Sequence, residues 1–176
     1  MEINFKASEV LTDCRVACRE LEDAEANQNE RLIRIRWFTC LVLLRSVGHI
    51  IDKVDKKNYI KYKSEFDSFY KRKKQEIIFK DFIDKERNMI LKEYKDYIIN
   101  EESEKVESFH VIINDDGDRL DIGGGNTLIY KDDDLVTRYF KKGGGFDEYN
   151  LLHEIVSDAI KWWENYINEL KIKINN

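Results

Sequence analysis

Two short stretches of the chain hold the residues whose types and spacing could do chemistry. In the first, Leu44-Arg45-Ser46-Val47-Gly48-His49, an arginine and a histidine stand four residues apart. On a helix that spacing puts both side chains on one face, a turn apart. A guanidinium stays charged at any physiological pH, and an imidazole can take and give a proton near neutrality. Arg45 is therefore a candidate anion clamp and His49 a candidate acid–base group. In the second stretch, Glu86-Arg87-Asn88-Met89-Ile90-Leu91-Lys92-Glu93-Tyr94, Arg87 falls inside an apolar stripe near Ile83, Leu91 and Tyr94. An arginine there must snorkel to water or meet a buried anion. Asn88 and Lys92, four apart, share the face beside it.

Each stretch also has a plainer reading. At about 100° per residue, Arg34, Arg45, His49, Asp52 and Lys56 fall within roughly 40° of one line on their helix. Such a stripe can equally be a polar seam that pairs with acidic neighbours, and structural ion-pair networks imitate active sites. The second stretch can be an amphipathic helix with paired charges.

The run Glu86-Arg87-Asn88-x-x-x-Lys92-x-Tyr94 resembles the signature of HEPN domains (higher eukaryote and prokaryote nucleotide-binding). These helical bundles commonly carry Arg-polar-x-x-x-His near the start of a late helix. The resemblance implies RNA binding or metal-independent RNA cleavage of a toxin–antitoxin or defence type, often in a homodimer whose motif faces a shared cleft. It implies that Arg87 holds the scissile phosphate and Asn88 orients it. The proton-transferring histidine is expected at position 92, where this chain has Lys92. Histidine titrates near neutral pH, whereas an ordinary lysine keeps its charge to about pH 10.4. Lys92 can bind phosphate as it stands, but needs burial or cationic neighbours to act as a base. If the helices carrying the two stretches pack together, Arg45 and His49 approach Arg87 and supply the missing imidazole.

Other patterns carry less. Gly123-Gly124-Gly125 and Gly143-Gly144-Gly145 lack the Lys-Ser/Thr of a phosphate loop and read as turns. Asn114-Asp115-Asp116-Gly117-Asp118 would offer Ile112 and Gly123 as the end ligands of a calcium loop, which fails for want of oxygen. No metal site and no cofactor is expected. His110 and His153 have no spaced partners. Cys14, Cys18 and Cys40 read as reduced, buried, small apolar side chains rather than metal ligands. From Lys53 to Lys74, nine basic residues face only Asp55, Glu65 and Asp67, a net +6 that leaves −11 for the rest of a chain at −5. Interleaved Tyr59, Tyr62, Phe66, Phe69 and Tyr70 could stack on bases, but their three-to-four spacing is that of a core face.

These residues must be positioned by helices. Among 176 residues there is no proline, where average usage gives roughly nine. Helix interiors exclude proline because it lacks an N–H and clashes with the preceding turn. Seven of the eight glycines lie between Gly117 and Gly145, so a glycine-poor helical part precedes a turn-rich one. The periodicity predicts helices over about Ala7–Ala26, Glu30–Asp55, Tyr59–Lys73 and Gln75–Ile99, with the second central because it is apolar nearly all round from Trp37 to Leu44. Strands are predicted at Phe109–Ile113, Leu120–Ile122, Thr127–Tyr130 and Leu135–Phe140, and a last helix follows from an N-cap at Asp147 to about Ile172. Trp162 and Trp163 on it read as packing residues.

The expectation is a single, mainly α (α+β) domain. It comprises an up-and-down helical bundle over 1–107, a small antiparallel β-meander over 108–145 and a C-terminal helix over 146–176. A hydrophobic fraction of 42% suffices for a core, and 37% charged residues solvate the surface. No stretch reaches the roughly 18 apolar residues of a membrane span. With no secretion-signal pattern in Met1–Lys6, the expected location is the cytoplasm. Two functional classes remain. One is a HEPN-like RNA-binding protein or ribonuclease that uses Arg87, Asn88 and Lys92 with Arg45 and His49. The other is a non-catalytic protein–protein interaction module, antitoxin-like or structural, whose meander and acidic turns meet a protein partner.

Overall fold

The spacing of Leu11, Cys14, Ala17, Cys18, Leu21 and Ala24 winds residues Ala7–Ala26 into helix α1, and all six are buried. In this computed structural model the described residues are 3–95, 98–102, 109–111, 129–131, 138–142, 146 and 150–175. The chain divides into two compact units, one of Met1–Ile99 with Phe140–Asn176 and one of Asn100–Tyr139.

The first unit is a helical bundle. After a turn at Gln28, the Asn29 side chain accepts from the Leu32 N–H at 3.1 Å and caps helix α2, Glu30–Ile50. Its buried face carries Ile33, Trp37, Cys40, Leu41, Leu44, Val47 and Gly48. α2 packs on α1, on α5 (Lys85–Glu93) and on α6 (Leu152–Asn175). It is central, yet not enclosed as its apolar run predicts: Leu32, Ile35 and Val42 keep 42%, 45% and 43% of their surface in water. Gly48 is where α2 and α6 approach closely. A β-carbon there would lie 2.8 Å from Trp163 Cη2 and 3.1 Å from the Tyr70 hydroxyl. Gly48→Ala should therefore destabilise the fold by about 1–3 kcal/mol through overpacking, read as a lower denaturation midpoint at unchanged m-value.

Two wide, π-helical stretches interrupt the regular winding. Ile51–Asp55 continues α2, and Ile78–Asp84 leads into α5. Bonding five residues ahead instead of four lets each residue turn through a smaller angle, so the inner face drifts along the helix. The buried positions from here into α5 are Phe79, Phe82, Ile83, Glu86 and Ile90, which share one face at ordinary helical spacing, and Arg87 sits at its half-buried edge. Glu86 is buried against Lys142, with Oε1 2.9 Å from Nζ and each side chain 1% exposed. Asp55, at the end of the first such stretch, also faces inward. Its carboxylate accepts from the backbone N–H groups of Lys6 at 2.7 Å and Ala7 at 3.1 Å, and so caps α1 from a distant part of the chain.

Elements between these differ in extent from the sequence pattern. Short helix α3 (Lys56–Asn58) and a 3-10 turn (Ile60–Tyr62) precede α4, Lys63–Lys73. α5 stops at Glu93, well before Ile99, because Tyr94 adopts the left-handed conformation with φ 53°. Several charges of the 53–74 segment are paired within the bundle: Lys56 bonds Asp52 and Asp67, Lys63 bonds Asp67, and Lys73 bonds Glu76. Phe66 and Phe69 are buried, and Trp163 at 0% exposure is core as well.

In the second unit, β2 (Phe109–Val111) pairs antiparallel with β3 (Ile129–Lys131), His110 opposite Tyr130. β1 (Ile98–Glu102) and β4 (Arg138–Lys142) neighbour each other in a separate two-stranded sheet. Among the described residues these pairings do not join into a meander of consecutive strands. The expected strand at Leu120–Ile122, both triple-glycine turns, the acidic turns and the Asp147 cap lie outside the described residues. No helix among the described residues is long and apolar enough to cross a membrane.

Candidate functional site

Packing of α2 against α5 brings the two chemistry-bearing stretches to one place, and an aspartate organises them. Arg45 Nε donates to Asp84 Oδ1 at 2.9 Å. Asn88, one turn after Asp84, donates its amide to Asp84 Oδ2 at 3.3 Å. Arg87 in turn donates to Asn88 Oδ1 at 2.9 Å. The result is a chain of polar contacts, Arg87 to Asn88 to Asp84 to Arg45, at the half-buried rim of the bundle. Asp84 was not among the residues that spacing selects. Its position four before Asn88 and three before Arg87 is the signal that could have found it.

Arg45 is held further by the Phe79 ring, 5.4 Å from its guanidinium carbon, and by the Tyr70 hydroxyl. Burial pushes the Tyr70 phenol up from its usual range, and Arg45 counteracts this. The anion that Arg45 clamps is thus a carboxylate of its own chain. Arg87 differs, because its described hydrogen bond goes to an amide oxygen, which leaves its charge uncompensated there.

Beside this chain lies an open groove of about 430 Å³ lined by Lys80, Asp81, Asp84, Lys85, Asn88, Met89, Lys92 and Glu93. Lys92 is exposed on α5. His49 is exposed on α2, a turn beyond Arg45, and neither lines the groove nor bonds to any of these residues. The structure therefore joins Arg45, Arg87 and Asn88 through Asp84, sets Lys92 on the adjoining groove and leaves His49 outside the contact network.

A second groove, about 910 Å³, runs between α1 and α6. His153 in its wall belongs to a pair that sequence spacing does not reveal. His153 Nδ1 lies 2.7 Å from Glu25 Oε2, and the same carboxylate accepts from the backbone N–H groups of Leu152 and His153, capping α6. Burial raises the Glu25 pKa, opposed by His153 and those N–H bonds. The partners are separated by 128 residues, so no local motif could announce them. Cys18 in this wall gives its thiol to the His153 carbonyl at 3.4 Å. Burial pushes Cys18 up to about 11 and Cys14 to about 12, which keeps both as thiols rather than nucleophiles. No group of three or more His, Cys, Asp or Glu side chains suited to a metal ion occurs among the described residues.

The chain matches no family model, no curated protein and no solved structure.

Proposed function

We propose that the chain is a HEPN-like RNA-binding protein in which Arg87, Asn88 and Lys92 contact the phosphate backbone. The observation that carries this reading is the hydrogen bond from Arg87 to the Asn88 amide. It orients the guanidinium while leaving its charge available to an external anion, in contrast to Arg45, whose partner is Asp84. Lys80, Lys85 and Lys92 on the adjoining groove add cations, offset by Asp81, Asp84 and Glu93. That balance favours moderate, salt-sensitive binding over a strongly attractive field.

Binding is better supported than cleavage. A lysine acts as a base through burial or cationic crowding, and Lys92 is solvated. His49 stands a turn away from Arg45 with no bond to the motif. Cleavage without metal, lost on His49→Ala or Lys92→Ala, would extend the proposal to a ribonuclease of the toxin–antitoxin or defence kind.

The test is fluorescence anisotropy with a labelled single-stranded RNA at low salt. Arg87→Ala should weaken binding about tenfold with an unchanged melting temperature, the loss of one charge-assisted contact. An affinity indifferent to both salt and Arg87 would sink the reading.

One observation favours a second reading, the protein-interaction module. Leu32, Ile35, Thr39, Val42 and Ser46 follow the alternating three-four spacing of a helix-packing seam. Thr39 and Ser46 turn their hydroxyls back to the carbonyls of Ile35 and Val42, both at 2.8 Å, so the seam carries no charge. Co-purification of one protein in place of nucleic acid, abolished by Val42→Glu, would favour it.

A further inference from the structure

Most exposed aromatic side chains lie flat on a helix surface; Tyr94 is held off the end of one. Its backbone, φ 53° and ψ 36°, is left-handed, the conformation that normally calls for glycine after a helix. A β-carbon there crowds the following carbonyl, so a tyrosine carries strain that glycine would not. The side chain nonetheless keeps 68% of its surface in water. Burial therefore does not explain why so large a ring occupies a strained position.

Its surroundings are those of a base-stacking site. The Phe38 ring meets it in a T-shaped contact, centroids 5.4 Å apart and planes at 85°. The Arg34 guanidinium carbon lies 5.7 Å from the ring centroid. An aromatic ring and a guanidinium plane are the two surfaces on which unpaired bases stack. Arg31 precedes Arg34 by about one turn on α2, and Lys92 and Lys95 flank Tyr94 in the chain. The adjacent carboxylate, Glu93, is engaged by Lys95 at 2.8 Å. Lys92 also lines the groove that contains Asn88, so the next phosphate contact is two residues away in sequence.

We infer that Tyr94, braced by Phe38 and Arg34, is a stacking platform for one unpaired base of a single-stranded RNA. The inference rests on the RNA-binding reading and adds to it the strand state and the base contact. A duplex keeps its bases stacked internally and cannot offer one to the ring.

The experiment measures anisotropy of a labelled oligouridine against the intact chain and three variants, with thermal melts alongside. Tyr94→Phe keeps the ring and should hold affinity within about twofold, whereas Tyr94→Ala should lower it about tenfold, the usual cost of one lost stack. Tyr94→Gly discriminates most. It should relax the backbone and leave the melting temperature equal or higher, while affinity falls as in Tyr94→Ala. An oligonucleotide with its bases removed should bind weakly and show no dependence on Tyr94. A melting temperature that falls together with affinity in Tyr94→Gly would make the ring a packing element and overturn the inference. So would double-stranded RNA bound as tightly as single-stranded, or a protein ligand that competes for Tyr94 in place of RNA. Binding that needs Arg87 but ignores Tyr94 sinks the platform alone; no RNA binding at all sinks both readings.

Discussion

Glu86→Ala is expected to cost about 3–5 kcal/mol, the usual penalty for removing one member of a buried ion pair. The reason lies in the burial of both groups. Lys142 and Glu86 are each 1% exposed, so the ammonium that remains is cut off from water and has lost the carboxylate 2.9 Å away. Lys142→Ala should cost a similar amount for the mirrored reason. Replacing both at once, as Glu86→Leu with Lys142→Met, removes the desolvation penalty of two charges and fills the space with carbon. That double variant should be close to neutral or more stable than the natural chain. Urea denaturation of the natural chain, the two alanine variants and the double alanine variant measures the coupling directly, and the Leu/Met variant is compared beside them. A single variant that loses less than about 1 kcal/mol would mean that water reaches the pair.

Asp55→Ala should be the next most damaging change. The Asp55 side chain, buried with the residue at 0% exposure, holds two N–H groups at the start of α1. Without it the Ala7 N–H in particular has no solvent to turn to, since Ala7 is itself at 0% exposure. Two stranded donors cost about 3 kcal/mol together. Asp55→Asn keeps one acceptor oxygen and should lose less. The pH dependence separates the two roles of the group. Burial raises the Asp55 pKa above its ordinary value, and Glu9 adds to this, while the two N–H bonds oppose it. A carboxyl raised on folding binds its proton more tightly in the native state. Its favourable contribution is present below the unfolded pKa and declines as pH rises through the folded one. Asp52 has the opposite sign: Lys53 and Lys56 hold it down to about 2, so its contribution is lost as pH falls toward that value. Asp55→Asn should therefore remove a decline in stability above pH 4 or so and leave the acid-side loss from Asp52 in place. Melting curves across that range would show it, and an unchanged profile in Asp55→Asn would refute it.

How far the sequence could be read follows from what its periodicity encodes. α1 agrees with its pattern because an uninterrupted 3.6-residue repeat on small side chains has one solution. The last helix was legible for the same reason, from Leu152 through Leu170. Failures cluster where winding changes. Nothing in Ile78-Phe79-Lys80-Asp81-Phe82-Ile83-Asp84 marks a π-helical stretch, and the inward residue beside Arg87 is a glutamate, which residue type alone would place in water. Nor could the sequence show that Tyr94 would turn left-handed and end α5 early, since the residue there is neither Gly nor Asn.

At the candidate site, the proximity of Arg45 to the Arg87-Asn88 pair was readable as a possibility from two polar stripes. Asp84, the group that joins them, stands in no pattern of its own, because its two partners come from different helices. Glu25 with His153 lay beyond reach altogether, since long-range pairings across 128 residues leave no trace in local pattern.

The widened turn at Ile78–Asp84 has a consequence for the tolerance of the chain to length change. Elsewhere in a helix, loss of one residue swings everything downstream by about 100° and exchanges inside for outside. A π-helical stretch is equivalent to an α-helix that has absorbed one surplus residue. Excision of exposed Lys80 would let the spiral retighten while Glu86 and Ile90 stay aimed inward. Excision of Lys85 instead would carry Arg87 and Asn88 away from Asp84.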